Sequence, residues 1–157
     1  MLSAESLARI DREIAKYPPD QKQSAIMSAL RIAQEEKGWL AEDTIRFVAE
    51  YLGMPPIAAY EVATFYNMYN TKPVGKYKLT VCTNLPCQLT QRHDIGAYLQ
   101  QKLGIGWGET TEDGRFTLVQ GECMGSCDGA PLMLVNNHRM CSHLTPEAVD
   151  KLLSELE

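Results

Sequence analysis

Cys82-Thr83-Asn84-Leu85-Pro86-Cys87 and Cys123-Met124-Gly125-Ser126-Cys127 are the two stretches that decide the fold. Each one brings two sulfurs together across a short loop. The segment between them is long enough for a helix and a hairpin, so only folding can bring the two loops to one another. Four thiolates that converge on one point are typical of a bound metal centre. The candidate ligands are therefore Cys82, Cys87, Cys123 and Cys127.

Composition limits the classes of protein to which the chain can belong. The 157 residues fit one domain, or one domain with a helical extension, and their net charge of -5 includes no basic run. This argues against nucleic acid as a partner, because phosphate binding needs a concentrated basic surface. No apolar run approaches the ~20 residues that cross a bilayer, and the N-terminus lacks a signal-peptide core. We expect a cytoplasmic, reducing compartment, where cysteines serve metal or redox chemistry.

The first half of the chain shows helical periodicity and predicts a bundle of four short amphipathic helices over residues 1–72. Ser3 is the expected N-cap of the first helix, Asp20 of the second, and Pro55-Pro56 begins the fourth. Gly38 and Gly53 are the expected stops of the second and third. The predicted apolar stripes are Leu7, Ile10 and Ile14; Ile26, Ala29, Leu30 and Ala33; Ile45, Val48, Ala49 and Leu52; and Ala58, Val62, Phe65 and Tyr69.

The bundle contains no cluster of titratable residues, so the simplest interpretation is that its apolar faces serve only to pack the helices together. The sharper interpretation is that Phe65, Tyr66 and Tyr69 present an aromatic face to a partner, since aromatic residues are enriched at interfaces. The stretch from Asn70 to Gly75 breaks the helical period and predicts a linker.

The second half, residues 73–157, predicts an α/β unit. A half-buried strand with Tyr77, Leu79 and Val81 ends at Cys82, and a strand from Phe116 to Gln120 leads into the second cysteine loop. Between them, one helix is expected from Pro86 and Cys87 through Leu103 to a stop at Gly104. A strand over 132–135, a hairpin turn at Asn136-Asn137, a strand over 139–142 and a helix capped by Thr145 complete the prediction.

Loops that follow adjacent strand ends lie on one edge of a sheet, which makes convergence of the four cysteines reasonable. The second loop is rich in small residues, whose backbone N–H groups can turn inward and bond to sulfur. If the flanking Glu122 and Asp128 point towards a bound cluster, they should lower its reduction potential, because reduction adds negative charge.

Spacing alone leaves iron–sulfur and structural zinc nearly equal, and the wider C-x4-C and C-x3-C loops favour iron–sulfur only slightly. A dithiol redox site needs a C-x2-C motif, which is missing from this sequence. Disulfides need an oxidising compartment, which nothing in the sequence indicates. A mixed histidine–cysteine site would need a second cysteine–histidine pair besides Cys141-Ser142-His143. None follows it, so we reject this interpretation. Cys141 is expected to be a partly buried strand residue. The three histidines, His93, His138 and His143, are expected at the surface or at helix starts.

Nothing in the sequence matches a motif for binding NADH or a flavin. The glycine-rich stretch from Gly104 to Gly108 follows a helix rather than a strand, which is the wrong context for dinucleotide binding. We interpret it as a helix stop and a turn.

The two cysteine loops together, with Glu122 before the second, resemble the thioredoxin-like [2Fe-2S] ferredoxin family. Within it, the chain is similar to the small iron–sulfur subunits, or E subunits, of bacterial NADH:quinone oxidoreductase, respiratory complex I. Three further stretches carry the likeness: Glu61-Val62-Ala63-Thr64-Phe65-Tyr66, Asp113-Gly114-Arg115-Phe116-Thr117-Leu118 and His143-Leu144-Thr145-Pro146-Glu147.

The resemblance implies a four-helix N-terminal part, a thioredoxin-like βαβ domain, and one [2Fe-2S] cluster on Cys82, Cys87, Cys123 and Cys127. It implies electron exchange with FMN on a partner flavoprotein subunit that also binds NADH, and a cytoplasmic location, peripheral to the inner membrane through the complex. It implies no complete active site in this chain alone. NAD-reducing hydrogenases and NAD-dependent formate dehydrogenases have related subunits, which are alternatives for the parent complex. A zinc-stabilised interaction module and a thiol–disulfide oxidoreductase are the alternatives of other classes.

Overall fold

The structure is a computed structural model and describes residues 1–90 and 94–156. The chain folds as two compact units, Met1–Pro73 and Val74–Glu157. The first unit is helical, and the second combines a sheet with helices, so the predicted mixed α/β class is confirmed.

Four α-helices make up the first unit, all of whose residues are described. They are α1 (Ala4–Ile14), α2 (Ile26–Lys37), α3 (Glu42–Leu52) and α4 (Pro56–Phe65). The Ser3 side chain accepts a hydrogen bond from the Ser6 N–H at the start of α1, as predicted. Gly38 and Gly53 end α2 and α3 with positive φ angles, which glycine adopts without a steric penalty. The predicted stripes of the first three helices face a single apolar core.

Two predictions for this unit are wrong. Asp20 caps no helix, because a short 3₁₀ helix over Lys22–Ala25 has Gln21 at its N-cap position and α2 starts only at Ile26. The fourth helix ends at Phe65, so Tyr69 lies beyond it, and the buried residues of the helix are Ala59 and Ala63. Of the predicted face, Val62 packs against the core but Phe65 is exposed. The Tyr69 side chain is only 6% exposed and its hydroxyl donates to the Met27 carbonyl at 2.8 Å, which removes it from any surface aromatic face.

The second unit contains a four-stranded sheet in the order β2-β1-β3-β4 among the described residues. Its elements are β1 (Tyr77–Cys82), α5 (Leu85–Thr90), α6 (Ile95–Leu103), β2 (Phe116–Gly121), β3 (Met133–Val135), β4 (Arg139–Cys141) and α7 (Pro146–Glu155). β1 and β2 are parallel, whereas β3 and β4 are antiparallel to their neighbours.

The core of this unit lies where α6 and α7 pack against the sheet. Leu79 on β1, Leu118 on β2, Leu99 on α6 and Val149 on α7 have no exposed surface. The apolar positions of both helices recur at helical spacing, which turns one stripe of each towards the strands. This packing holds the sheet in place, and both cysteine loops begin at one end of it.

The predicted helix from Cys87 to Leu103 is in fact two helices. Asp94 has an extended backbone, and its side chain accepts a hydrogen bond from the Ala97 N–H at 3.0 Å, which starts α6 as a separate helix. His93 lies outside the described residues. The hairpin prediction is confirmed, since Asn136 and Asn137 have φ angles of 50° and 61°, as a tight turn of this kind requires.

The strand prediction for β1 needs one correction. Leu79 and Val81 are buried as expected, but Lys78 on the opposite face is only 5% exposed, and burial lowers its pKa. Simple alternation of apolar and polar residues therefore does not describe this strand. In the described part of the chain, no helix is both long enough and apolar enough to cross a membrane.

Candidate metal centre

The two cysteine loops start side by side at the ends of neighbouring parallel strands. Cys82, the last residue of β1, is aligned with Gly121, the last residue of β2. The Gly121 carbonyl accepts hydrogen bonds from the Thr83 backbone N–H at 3.0 Å and from the Thr83 hydroxyl at 3.3 Å. These bonds fasten the start of the first loop to the strand that leads into the second.

Cys82 and Cys87 form a buried pair, with 2% and 1% of their surface exposed. They pack with Leu132, and Met124 and Ala130 lie against the same cluster. Burial, followed by the hydrogen bond with the neighbouring Cys82 thiol, raises the pKa of Cys87 to about 11. Burial raises the pKa because a thiolate is poorly solvated there, and the hydrogen bond raises it because it favours the protonated thiol. A bound cation would instead favour the thiolate.

Cys123 and Cys127 form an exposed pair, whose sulfurs are 3.7 Å apart. The hydrogen bond with Cys123 is the main cause that raises the pKa of Cys127. Two sulfurs bound to one tetrahedral metal through bonds of about 2.3 Å lie about 3.8 Å apart. The pair therefore already has the separation that one metal ion requires.

The two pairs are close enough to act on one another electrostatically. Cys127 contributes to the raised pKa of Cys87, and Cys82 contributes to that of Cys127. Over residues 1–90 and 94–156, no three His, Cys, Asp or Glu side chains form a group suited to one ion. The structure places the four predicted ligands as two neighbouring pairs and not as one group around a single ion, an arrangement that would suit two metal ions with two cysteines on each.

Close packing explains why glycines are needed around the loops. A Cβ on Gly121 would lie 2.7 Å from both the Thr80 Cγ2 and the Met124 Cε, and one on Gly129 would lie 2.8 Å from the Ser142 Cβ. The His143 N–H donates to the Gly129 carbonyl at 2.7 Å, which ties the second loop to the segment after β4. The Ala130–Pro131 peptide bond, just after this loop, is cis.

Of the two predicted acidic neighbours, only Asp128 shows a connection to a ligand. Its charge raises the pKa of Cys127, after the larger effects of Cys123 and burial, and its Oδ1 accepts a hydrogen bond from the Ser126 hydroxyl at 3.3 Å. Glu122 is exposed. The effect of either carboxylate on a reduction potential stays a prediction.

Cys141 and the two described histidines lie where the sequence suggested. Cys141 is half-buried in β4, and burial raises its pKa. His138 and His143 are exposed. Sequence reasoning missed Thr80, whose buried hydroxyl has no hydrogen-bond partner within the described residues. It also missed Leu132 and Met124 as apolar neighbours of the buried pair. The sequence does not indicate that a threonine or a methionine in an apolar segment will lie buried or beside the cysteine pair.

The fold and the paired thiols define a class of iron–sulfur protein. Residues 10–157 match the model of the thioredoxin-like [2Fe-2S] ferredoxin family, and the chain belongs to this family. The predicted family is thus confirmed, and membership in it supports an iron–sulfur cluster as the cofactor.

Individual relatives carry more specific names. The E subunit of NADH-quinone oxidoreductase from Rickettsia felis is 48% identical over 143 residues, which cover 90% of this chain and 85% of the relative. Subunit 2 of NADH-quinone oxidoreductase from Thermus thermophilus is 40% identical over 147 residues, which cover 94% and 81%.

A solved structure shows the same fold. An air-oxidized NAD+-reducing [NiFe]-hydrogenase superposes with a TM-score of 0.73 at 21% identity and covers 89% of this chain. The match takes up only 24% of the hydrogenase chain, so it extends to the fold and not to the activity of that enzyme.

Proposed function

We propose that the chain is an electron-transfer subunit of an NADH:quinone oxidoreductase and holds one [2Fe-2S] cluster on its four paired cysteines. The observation that carries the proposal is the convergence of two thiol pairs at adjacent strand ends, one pair with sulfurs 3.7 Å apart. The names of the relatives support the choice of parent complex.

The bound cluster would accept and release single electrons, and the chain's own residues prepare its place. Cys82 and Cys87 would hold one iron in an apolar, buried setting beside Leu132. Cys123 and Cys127 would hold the other iron at the surface. The Thr83–Gly121 bonds keep the two loops in register, so the ligands need little rearrangement when metal binds.

A partner flavoprotein subunit would supply the NADH and FMN sites, for which this sequence has no motif. The electron would pass between the cluster and FMN across the surface where the second cysteine pair is exposed. Leu85 and Leu89, on α5 beside the first loop, are 65% and 76% exposed, and such apolar side chains suit a protein interface. The chain alone would then hold no complete active site.

The two units would act as separate domains, with residues 1–72 assisting in docking and residues 73–157 carrying the cluster. Phe65 is 80% exposed and contacts Tyr66 edge-to-face, so two of the three predicted aromatic residues remain at the surface of the first unit. The complex would sit at the cytoplasmic side of the inner membrane, with this chain attached through its partners.

Two alternatives to this function remain. The first is an equivalent diaphorase subunit of a hydrogenase or of an NAD-dependent formate dehydrogenase, and a solved NAD+-reducing hydrogenase has the same fold. A zinc-stabilised interaction module is the alternative of another class, because zinc also accepts paired thiolates. Metal analysis decides that alternative, since one zinc and no acid-labile sulfide per chain would support it.

Co-expression with the NADH-binding flavoprotein of such a complex tests the function. The chain should co-purify with this FMN-containing partner, and NADH should bleach the visible absorption of its cluster. The Cys87→Ser variant should lose that bleaching, whereas Cys141→Ser, a control outside the proposed ligand set, should keep it. Equal bleaching in both variants, or a flavoprotein that does not bind the chain, would contradict the proposal.

A further inference from the structure

The two thiol pairs differ sharply in their contact with solvent. Cys82 and Cys87 are 2% and 1% exposed, whereas both Cys123 and Cys127 are exposed. A dissolved oxidant can therefore reach the second pair directly but would need an opening of the fold to reach the first. Access of this kind is one of the main determinants of thiol oxidation.

The exposed pair is also nearly placed for a disulfide. Its sulfurs are 3.7 Å apart, and a disulfide bond measures about 2.05 Å, so an approach of less than about 2 Å is enough. Gly125 lies between the two cysteines with a φ angle of +76°, and glycine allows such a loop to adjust at low cost.

We propose that Cys123 and Cys127 form a thiol-oxidation site in the chain before it receives its cluster, with a peroxide as the oxidant. The Cys123 or Cys127 thiolate attacks one peroxide oxygen, the O–O bond breaks, and a sulfenic acid and one water are formed. The second thiol then attacks the sulfenic sulfur, a disulfide forms, and a second water leaves. Two thiols lose two electrons in total, and hydrogen peroxide is reduced to two waters.

The disulfide would regulate cluster insertion, and this consequence rests on the proposed function. Metal binding requires thiolates, and the disulfide removes two of the four ligands. The buried pair would remain reduced because the peroxide does not reach it. A dithiol reductant restores the second pair by thiol–disulfide exchange, so the block is reversible and the chain is spared irreversible oxidation to sulfinic acid.

Cys141 is the main competitor for a disulfide with Cys123 or with Cys127. Its thiol is half-buried in β4, where it packs against the core of the second unit. The thiol donates to the Arg139 carbonyl at 4.0 Å, and its serine variant provides a control that leaves both ligand pairs intact.

Mass spectrometry of the full-length apo chain tests the site. The chain is treated with one equivalent of hydrogen peroxide, alkylated and digested with trypsin. Cleavage after Lys78, Arg92, Arg115, Arg139 and Lys151 puts the Cys82–Cys87 pair, the Cys123–Cys127 pair and Cys141 on three different peptides. We expect the 116–139 peptide to be lighter by two hydrogens and unalkylated, and the other two peptides to be alkylated.

Three variants sharpen the result. Cys123→Ser and Cys127→Ser should each abolish the internal disulfide, and Cys141→Ser should leave it unchanged. A disulfide that joins two different peptides, or sulfinic acid on the 116–139 peptide as the main product, would overturn the proposal.

Reconstitution with iron and sulfide tests the consequence. The oxidised chain should take up less than about a tenth of the iron bound by the reduced chain, and dithiothreitol should restore uptake. Full uptake by the oxidised chain overturns the proposed regulation. A reduced chain that binds no cluster would instead overturn the proposed function, and the peptide masses would still decide the oxidation site.

Discussion

Replacing Gly121 by alanine tests whether close packing at the end of β2 holds the two cysteine loops in register. The residue is aligned with Cys82, and its carbonyl binds Thr83 in the first loop. An added Cβ would lie 2.7 Å from the Thr80 Cγ2 and from the Met124 Cε. Met124 has a flexible side chain that can move away, but Thr80 is a β-branched residue in the central strand β1 and cannot.

The expected cost follows from this geometry. Overpacking by one methyl group typically costs about 1–3 kcal/mol, and an alanine in a strand recovers roughly 0.5–1 kcal/mol of it relative to glycine. The difference spans about 0–2.5 kcal/mol, and the 2.7 Å contact with the rigid Thr80 side chain places the expected net loss in the upper part, at about 1–2 kcal/mol. Thr80→Ser removes only the clashing methyl group, so the double variant Gly121→Ala with Thr80→Ser should recover most of the loss.

Urea unfolding of the reduced apo chain measures the effect. In a Trp39→Phe background, Trp107 is the remaining tryptophan and lies in the second unit, so its fluorescence follows that unit alone. A loss of 1–2 kcal/mol should lower the urea midpoint by about 1 M, since the slope for a small unit is on the order of 1–2 kcal/mol per M. A Gly121→Ala variant as stable as its parent, or no recovery in the double variant, would refute the packing argument.

Three other predictions concern separate parts of the chain. Hydrogen bonds from Ser6 and the Ser3 backbone lower the pKa of Glu36 to about 2 from the usual 4.5. Its stabilisation is complete above that usual pKa and is lost as the pH falls towards 2. Glu36→Gln should therefore flatten the pH dependence of thermal unfolding between pH 5 and 2, and an unchanged slope would contradict this. Asn136→Ala removes the side-chain bonds to the Lys78 N–H in β1 and to the Lys76 carbonyl just before it, and should cost about 1–3 kcal/mol in urea titrations. An unchanged midpoint would count against this. Asp128→Asn should raise the reduction potential of the cluster by on the order of 20–50 mV in a spectroelectrochemical titration, whereas a fall would show that the carboxylate does not act through its charge.

Much of the scaffold could be predicted because its signals are local. Ser3 and Thr145 both cap helices through their own side chains, and Asn136-Asn137 makes the expected turn. The strands that end at the two cysteine loops were recognisable from apolar runs and nearby turns. The convergence of these loops then follows from the parallel pairing of β1 with β2.

The parts that could not be predicted depend on competition between signals or on tertiary packing. Asp94 starts a new helix although the apolar period continues past it, because its side chain binds the Ala97 N–H. Asp20 is a residue type that commonly caps helices, but a short 3₁₀ helix separates it from α2. The difference in burial between the two cysteine pairs depends on contacts such as that with Leu132, which is distant in sequence from Cys82 and Cys87.

The low-temperature electron paramagnetic resonance spectrum of the dithionite-reduced, anaerobically purified chain tests the central claim most directly. A binuclear iron centre on two thiol pairs should give one unpaired electron per two irons, with about two acid-labile sulfides per chain. A chain that contains zinc and gives no signal, or whose signal persists undiminished when both Cys82 and Cys127 are replaced by serine, would contradict the assignment.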